Sequence, residues 1–120
     1  MQSNGKLNLS REWALYFADI VEACEKIARF THKVSQAQFE TEDMVRDAVL
    51  RNLMVIGEAA KRIPDEQKLE YGHVEWRKIA GFRDVIAHAY FGINAEILWD
   101  IVHAKVPELL ASIKAQNSAS

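Results

Sequence analysis

A chain of 120 residues, 27% of them charged and with a formal charge of −2, is long enough for one core without disulfide or metal staples and has no broad basic surface. Its single cysteine, Cys24, excludes a disulfide framework and a cysteine-built zinc site, fits a reducing, cytoplasmic setting, and reads as a small buried hydrophobe. No apolar run approaches the ~18 residues of a membrane span and no charged-then-apolar leader is seen, so neither a membrane helix nor a signal peptide is expected.

Residues 1–9 are polar, contain Asn4-Gly5 and read as a flexible arm. Ser10 is a good N-cap, and Trp13, Tyr16, Phe17, Ile20, Cys24, Ile27 and Thr31 follow at spacings of three and four, predicting an amphipathic helix over residues 11–31. Ser35 with Gln38 forms a capping box for a short helix around Phe39, and Thr41 caps a long helix to Ile63, ended by Pro64. That helix carries two apolar stripes, Val45, Val49, Asn52, Ile56, Ala59 and Ile63 on one, Leu50, Leu53, Gly57 and Ala60 on the next, so it should be central and pack against two neighbours. Gly57 and Ala60 allow close helix approach, Asn52 reads as a satisfied buried amide, and Glu58 with Arg62 reads as an exposed ion pair.

Residues 64–71 predict a brief helix stopped by Gly72. The segment around Trp76 and Ile79 leads, through a permissive Gly81, into Arg83-Asp84-Val85-Ile86-Ala87-His88-Ala89-Tyr90. Asn94 caps a last helix bearing Ile97, Leu98, Ile101, Val102, Val106, Leu109, Leu110 and Ile113, with a kink expected near residues 103–107 because Pro107 cannot bond the His103 carbonyl. Four principal helices, short links and no strand alternation give an all-α, antiparallel four-helix bundle with short accessory helices, one domain over residues 10–115, and a flexible tail at 116–120.

The stretch from Arg83 to Tyr90 is the one that looks like a reaction centre, since it joins a permanent cation, an imidazole and a phenol. Phe82, Val85, Ile86 and Ala89 form its apolar stripe, with Arg83 and His88 on opposite shoulders, roughly 7.5 Å apart along the axis and about 140° around it. They cannot touch on an ideal helix but could hold one phosphate between them, while Arg83 and Tyr90, seven apart, share a face. Asp84, at i−4 from His88, either orients the imidazole or is a solvated carboxylate; Tyr90 is either functional or a bundle residue with its hydroxyl at the rim, and Tyr90-Phe91 could stack bases. His32, His73 and His103 lack a convincing partner set, and no spacing of His and Asp matches a compact metal motif, so no metal and no cofactor is expected.

Arg51-Asn52-Leu53-Met54-Val55-Ile56-Gly57-Glu58-Ala59-Ala60-Lys61, followed by Trp76-Arg77-Lys78-Ile79-Ala80-Gly81-Phe82-Arg83 through Gly92, resembles the HepT-like toxin family of the HEPN superfamily over about residues 11–113. The resemblance implies a HEPN-like bundle acting as a metal-independent endoribonuclease toxin of a type VII toxin–antitoxin system, catalytic through Arg83 and His88 with Asp84 in support. It also implies a homodimer, an RNA substrate, and a cognate minimal nucleotidyltransferase (MntA-like) antitoxin that attaches AMP to Tyr90. The chemistry is compatible: imidazole suits proton transfer at the 2′-hydroxyl or the leaving 5′-oxygen, and guanidinium suits charge building on phosphorus. A single acid–base histidine per chain favours a second copy sharing the work. The other reading is a non-catalytic subunit that binds substrate for, or regulates, a nucleotidyltransferase.

Overall fold

The computed structural model describes the backbone of residues 2–119 and the side chains of residues 12–117. It is all-α: α1 (Gln2–Thr31), α2 (Gln36–Thr41), α3 (Asp43–Arg62), α4 (Asp65–Glu70), α5 (Trp76–Ala89), a 3₁₀ turn at Tyr90–Gly92, α6 (Ala95–Asp100), a π turn at Ile101–Lys105 and α7 (Val106–Ala119). Because α6, the π turn and α7 run on without a break, the four principal helices expected from the sequence are present, with α2 and α4 as accessories. No helix among the described residues is long and apolar enough to cross a membrane.

The ends of the elements depart from the sequence reading in ways that have local causes. The backbone of α1 is already helical from Gln2, ahead of the cap expected at Ser10 and through the arm expected over residues 1–9; α7 likewise runs through the expected tail to Ala119. Met1 and Ser120, the outer residues of those two expected segments, lie outside the described residues. Periodicity could not locate either end, because the polar terminal segments carry no apolar stripe to read. Ser35 and Gln38 do form the capping box: the Gln38 N–H donates to Ser35 Oγ at 3.1 Å, and the Ser35 N–H donates to Gln38 Oε1 at 2.9 Å. Thr41 does not cap α3. Its hydroxyl bonds back to the carbonyls of Ala37 and Gln38 at 3.2 Å each and so closes α2, leaving Glu42 as the uncapped entry to α3.

As expected, α3 is the central helix, with its largest contacts to α1 and α5. It buries Val49, Leu50, Leu53, Ile56, Gly57, Ala59 and Ala60, and the buried Asn52 is satisfied by donating to the Ala48 carbonyl at 2.8 Å. The core is completed by Ile20, Cys24 and Ile27 of α1, Phe39, Ile86, Leu98 and Ile113, each fully or almost fully enclosed. Each such aliphatic side chain contributes roughly 1.5–3 kcal/mol relative to exposure.

Two features of the core were not legible in the sequence. Tyr71, at the end of α4, is buried: its ring stacks on Phe17 at 4.5 Å and its hydroxyl donates to Asn117 Oδ1 at 2.7 Å, while burial and Glu70 push its phenol pKa up. The kink expected near Pro107 takes the form of a π turn, in which the Val106 N–H donates to the Ile101 carbonyl five residues back. Proline lacks the N–H that would bond the His103 carbonyl, so widening the helix there sacrifices little. Ile97, expected in the buried set of the last helix, is half exposed, and Asn94 caps that helix as expected, accepting from the Glu96 and Ile97 N–H groups at 2.7 and 3.1 Å.

Candidate active site

The site begins with a missing side chain. A methyl group on Gly57 of α3 would stand 2.2 Å from Arg83 Cβ and 2.7 Å from Arg83 Cγ on α5, so only glycine lets the stem of Arg83 lie across α3. Glycine at this position therefore serves close helix approach, and it fixes where the guanidinium can go.

Four charged groups surround that crossing. Arg83 is paired through Nη2 with Glu58 and through Nη1 with Asp84 at 3.2 Å, and Asp84 is held by Lys61 Nζ at 3.1 Å. Two cations and two carboxylates are thus joined across two helices. Lys61, and then Arg83, hold the Asp84 carboxyl below its ordinary range; the bond to Asp84 raises Arg83, desolvation opposes it, and Glu58 adds to the rise. Arg83 Nε is enclosed and has no hydrogen-bond partner.

This arrangement corrects three expectations. Glu58 does not pair with Arg62 one turn along its own helix; the gap at Gly57 brings a guanidinium from α5 within its reach instead. The buried side of α5 is Ile86, with Phe82 and Ile79 half-buried beside it, whereas Val85 is 50% exposed and Ala89 is exposed. Arg83 therefore faces α3 and does not stand on a free shoulder. Asp84 engages Lys61 and Arg83 and makes no hydrogen bond to His88 among the described residues, so it matches neither the imidazole-orienting reading nor the solvated one.

His88 is exposed in the last turn of α5 and makes no hydrogen bond or ion pair among the described residues. An imidazole in that state is available to solvent or substrate on both ring nitrogens. Tyr90 is not on the α5 face with Arg83. The α-helix stops at Ala89, whose φ of −133° and ψ of 36° break the course, and Tyr90 opens the 3₁₀ turn. Its phenol, half-buried, meets Asp47 on α3, and its pKa is pushed up by desolvation first and by the Asp47 carboxylate second. Asp47 and Glu58 are eleven residues apart on α3, about 16 Å of helix, so the phenol and the guanidinium occupy separate stations along it. Phe91 is 99% exposed beside Tyr90, the two rings edge to face at 5.2 Å.

The remaining histidines stand apart from this chemistry. His103 Nδ1 lies 2.9 Å from the Trp99 carbonyl with its ring against the indole at 4.0 Å. His73 lies on the rim of a half-open apolar cavity of about 260 Å³ floored by Leu53, Ile56, Phe82 and Leu109. Among the described residues no group of three or more His, Cys, Asp or Glu is placed to hold a metal ion.

The family described as "Ribonuclease HepT-like" matches residues 20–115. A Thermococcus cleftensis protein named "Probable ribonuclease HepT" is 39% identical over 94 residues, covering 78% of this chain and 86% of that protein. A Methanocaldococcus jannaschii protein whose name proposes an RNase is 40% identical over 99 residues, 82% of each chain. A second protein of that organism, whose name joins gamma-glutamylcyclotransferase to a proposed RNase, is 31% identical over 105 residues; the match takes in 88% of this chain and only 47% of that longer relative. No solved structure matches the chain significantly.

Proposed function

Because the chain belongs to the HepT-like ribonuclease family, we propose that it is a metal-independent endoribonuclease toxin that cleaves RNA with Arg83 and His88. The observation that carries this reading is the contrast between the two side chains. Arg83 is fixed in place by the Gly57 gap and its carboxylate partners, whereas His88, five residues on, is exposed and without a partner among the described residues. In the reaction the 2′-hydroxyl oxygen attacks the adjacent phosphorus, its proton passes to a base, and the bond to the 5′-oxygen breaks as that oxygen is protonated. His88 serves one of these proton transfers and Arg83 holds the charge that builds on the phosphoryl oxygens. Asp84 supports Arg83 as its neighbour in the charge cluster. The products are a 2′,3′-cyclic phosphate and a 5′-hydroxyl.

One histidine supplies one proton-transfer group, so the reading includes a homodimer that brings two Arg83-to-Tyr90 segments to a common groove. It also includes a type VII partner, a minimal nucleotidyltransferase antitoxin. The Tyr90 hydroxyl oxygen would attack the α-phosphorus of ATP on that partner, releasing pyrophosphate and leaving AMP on the phenol. AMP there adds a negative charge and an adenine two residues from His88, on the turn that also displays Phe91, and so competes with RNA at the histidine end of the site. Such a pair would act in the cytoplasm.

The test is incubation of purified protein with RNA in EDTA. Cleavage ending in a cyclic phosphate, lost by ~10²–10⁴-fold in His88→Ala and strongly reduced in Arg83→Lys, supports the reading. Intact RNA, or products ending in a 3′-hydroxyl that need magnesium, refutes it and leaves the regulatory-subunit alternative. Sedimentation as a strict monomer by an active enzyme removes the shared groove. Coexpression with the partner should add AMP to the Tyr90 peptide, and Tyr90→Phe should escape silencing.

A further inference from the structure

The proposed reaction needs the guanidinium of Arg83 to receive a phosphate, yet in the free protein that guanidinium is already occupied. Its Nε edge is enclosed and closed to an incoming ligand. The remaining edge, between Nη1 and Nη2, is the one that binds a phosphate in a fork, and both of its nitrogens hold carboxylates, Asp84 on Nη1 and Glu58 on Nη2. A phosphate that takes the fork competes with both carboxylates for the same two nitrogens.

The two carboxylates are not equally free to leave. Asp84 sits beside Arg83 in sequence and is tied to Lys61 at 3.1 Å, so it stays in place. Glu58 comes from the opposite helix on a longer side chain, and one turn along that helix lies Arg62, exposed and in no ion pair among the described residues. Glu58 and Arg62 have the i, i+4 spacing, with the acid on the N-terminal side, that favours a helical ion pair. Glu58 therefore has a second cation to go to.

We propose that Glu58 is a displaceable counter-ion: it holds Arg83 in the free protein and swings to Arg62 when an RNA phosphate takes the guanidinium. The proposal rests on the reading of Arg83 as the phosphate-binding group. Glu58 is then a positioning residue that sets substrate affinity. While it is in place the cluster of Glu58, Lys61, Arg83 and Asp84 carries no net charge, and the site presents a neutral surface to RNA. The exchange also discriminates: an anion that binds with one oxygen returns less than the pair it breaks, whereas a phosphodiester with two free oxygens can replace it.

The experiment uses binding of a labelled single-stranded RNA in a His88→Ala background, followed by anisotropy, with KM and kcat measured in the His88 protein. Glu58→Gln keeps an acceptor oxygen for Arg83 and removes the charge. It should tighten RNA binding about 3- to 10-fold and lower KM, leaving kcat within about twofold, and should leave the salt dependence of binding unchanged, because Arg83 neutralises the same phosphate in both proteins. Arg62→Gln removes the second seat and should weaken binding about 2- to 3-fold, an effect that disappears when Glu58 is already Gln. Thermal melting of each variant checks that the fold is retained.

Four results would overturn the exchange. Glu58→Gln binding RNA no better than the parent, while Arg83→Ala binds worse, removes the counter-ion and leaves the ribonuclease reading standing. An equal gain from Glu58→Gln with and without Arg83 marks a general charge effect. An Arg62→Gln loss that persists in Glu58→Gln shows that Arg62 contacts RNA itself. If Arg83→Ala changes neither binding nor cleavage, the reading of Arg83 falls first and the exchange falls with it.

Discussion

Replacing Gly57 by alanine tests the contact on which the whole site is built. The new methyl carbon would be 2.2 Å from Arg83 Cβ and 3.4 Å from its Cα, and neither atom is the far end of a flexible side chain. Carbon atoms pack at about 3.5–4.0 Å, so α5 has to retreat by roughly 1.3 Å. Overpacking of this kind costs about 1–3 kcal/mol, and the change of glycine to alanine inside a helix returns about 1 kcal/mol. Gly81 provides the matched control, since it lies within α5, is exposed, and has nothing within 4 Å of a methyl group placed on it. The propensity gain is common to both variants, so their difference in stability isolates the packing cost. At about 4 °C per kcal/mol for a chain of this size, Gly57→Ala should melt about 4–12 °C below Gly81→Ala. A shift of the same 1.3 Å at the guanidinium should lower RNA cleavage by about 100-fold, with Gly81→Ala close to wild type. Calorimetry and a chelator-resistant cleavage assay read both effects. If Gly57→Ala melts as high as Gly81→Ala, α5 does not lie against α3 as described; if it melts lower and cleaves normally, the position of Arg83 does not limit catalysis.

Ile86 is fully buried and Phe91, five positions further on in the 3₁₀ turn, is almost fully exposed, so Ile86→Ala should cost about 2–5 kcal/mol by denaturant titration and Phe91→Ala less than about 0.5 kcal/mol. Burial, then Glu25, pushes the Cys24 thiol up to about 12 from 9.0; Cys24 should resist thiol reagents at pH 8 in the folded protein and react once denatured. The unfolded chain releases that proton first, so this group leaves stability unchanged below about pH 9 and lowers it progressively toward pH 12, a fall that Cys24→Ala should reduce. Asp47 helps hold the Tyr90 phenol above its ordinary range, so Asp47→Asn should bring the Tyr90 titration down, as followed by ring resonances in NMR.

The sequence by itself determined the fold class, because apolar residues at spacings of three and four define helices whatever they pack against. It likewise placed α3 at the centre, since two adjacent stripes require two neighbours, and it located the Ser35–Gln38 box and the Asn94 cap, whose bonds reach only two or three residues. It picked out Arg83 and His88 by residue type and marked Gly57 as a site of close approach. Tertiary structure decided the rest. Within one helix the i, i+4 spacing points Glu58 to Arg62; only the crossing of α3 and α5 at Gly57 brings Arg83 to it instead. The partner of Asp84 was undecided for the same reason, because Lys61 is 23 positions away in the chain and one hydrogen bond away in space. The face of Tyr90 departs from the ideal-helix expectation because the α-helix ends at Ala89, whose φ and ψ turn the phenol toward Asp47. Periodicity reports which residues leave water, and it cannot report which charges meet, because ion pairs form between elements whose relative placement is set by packing.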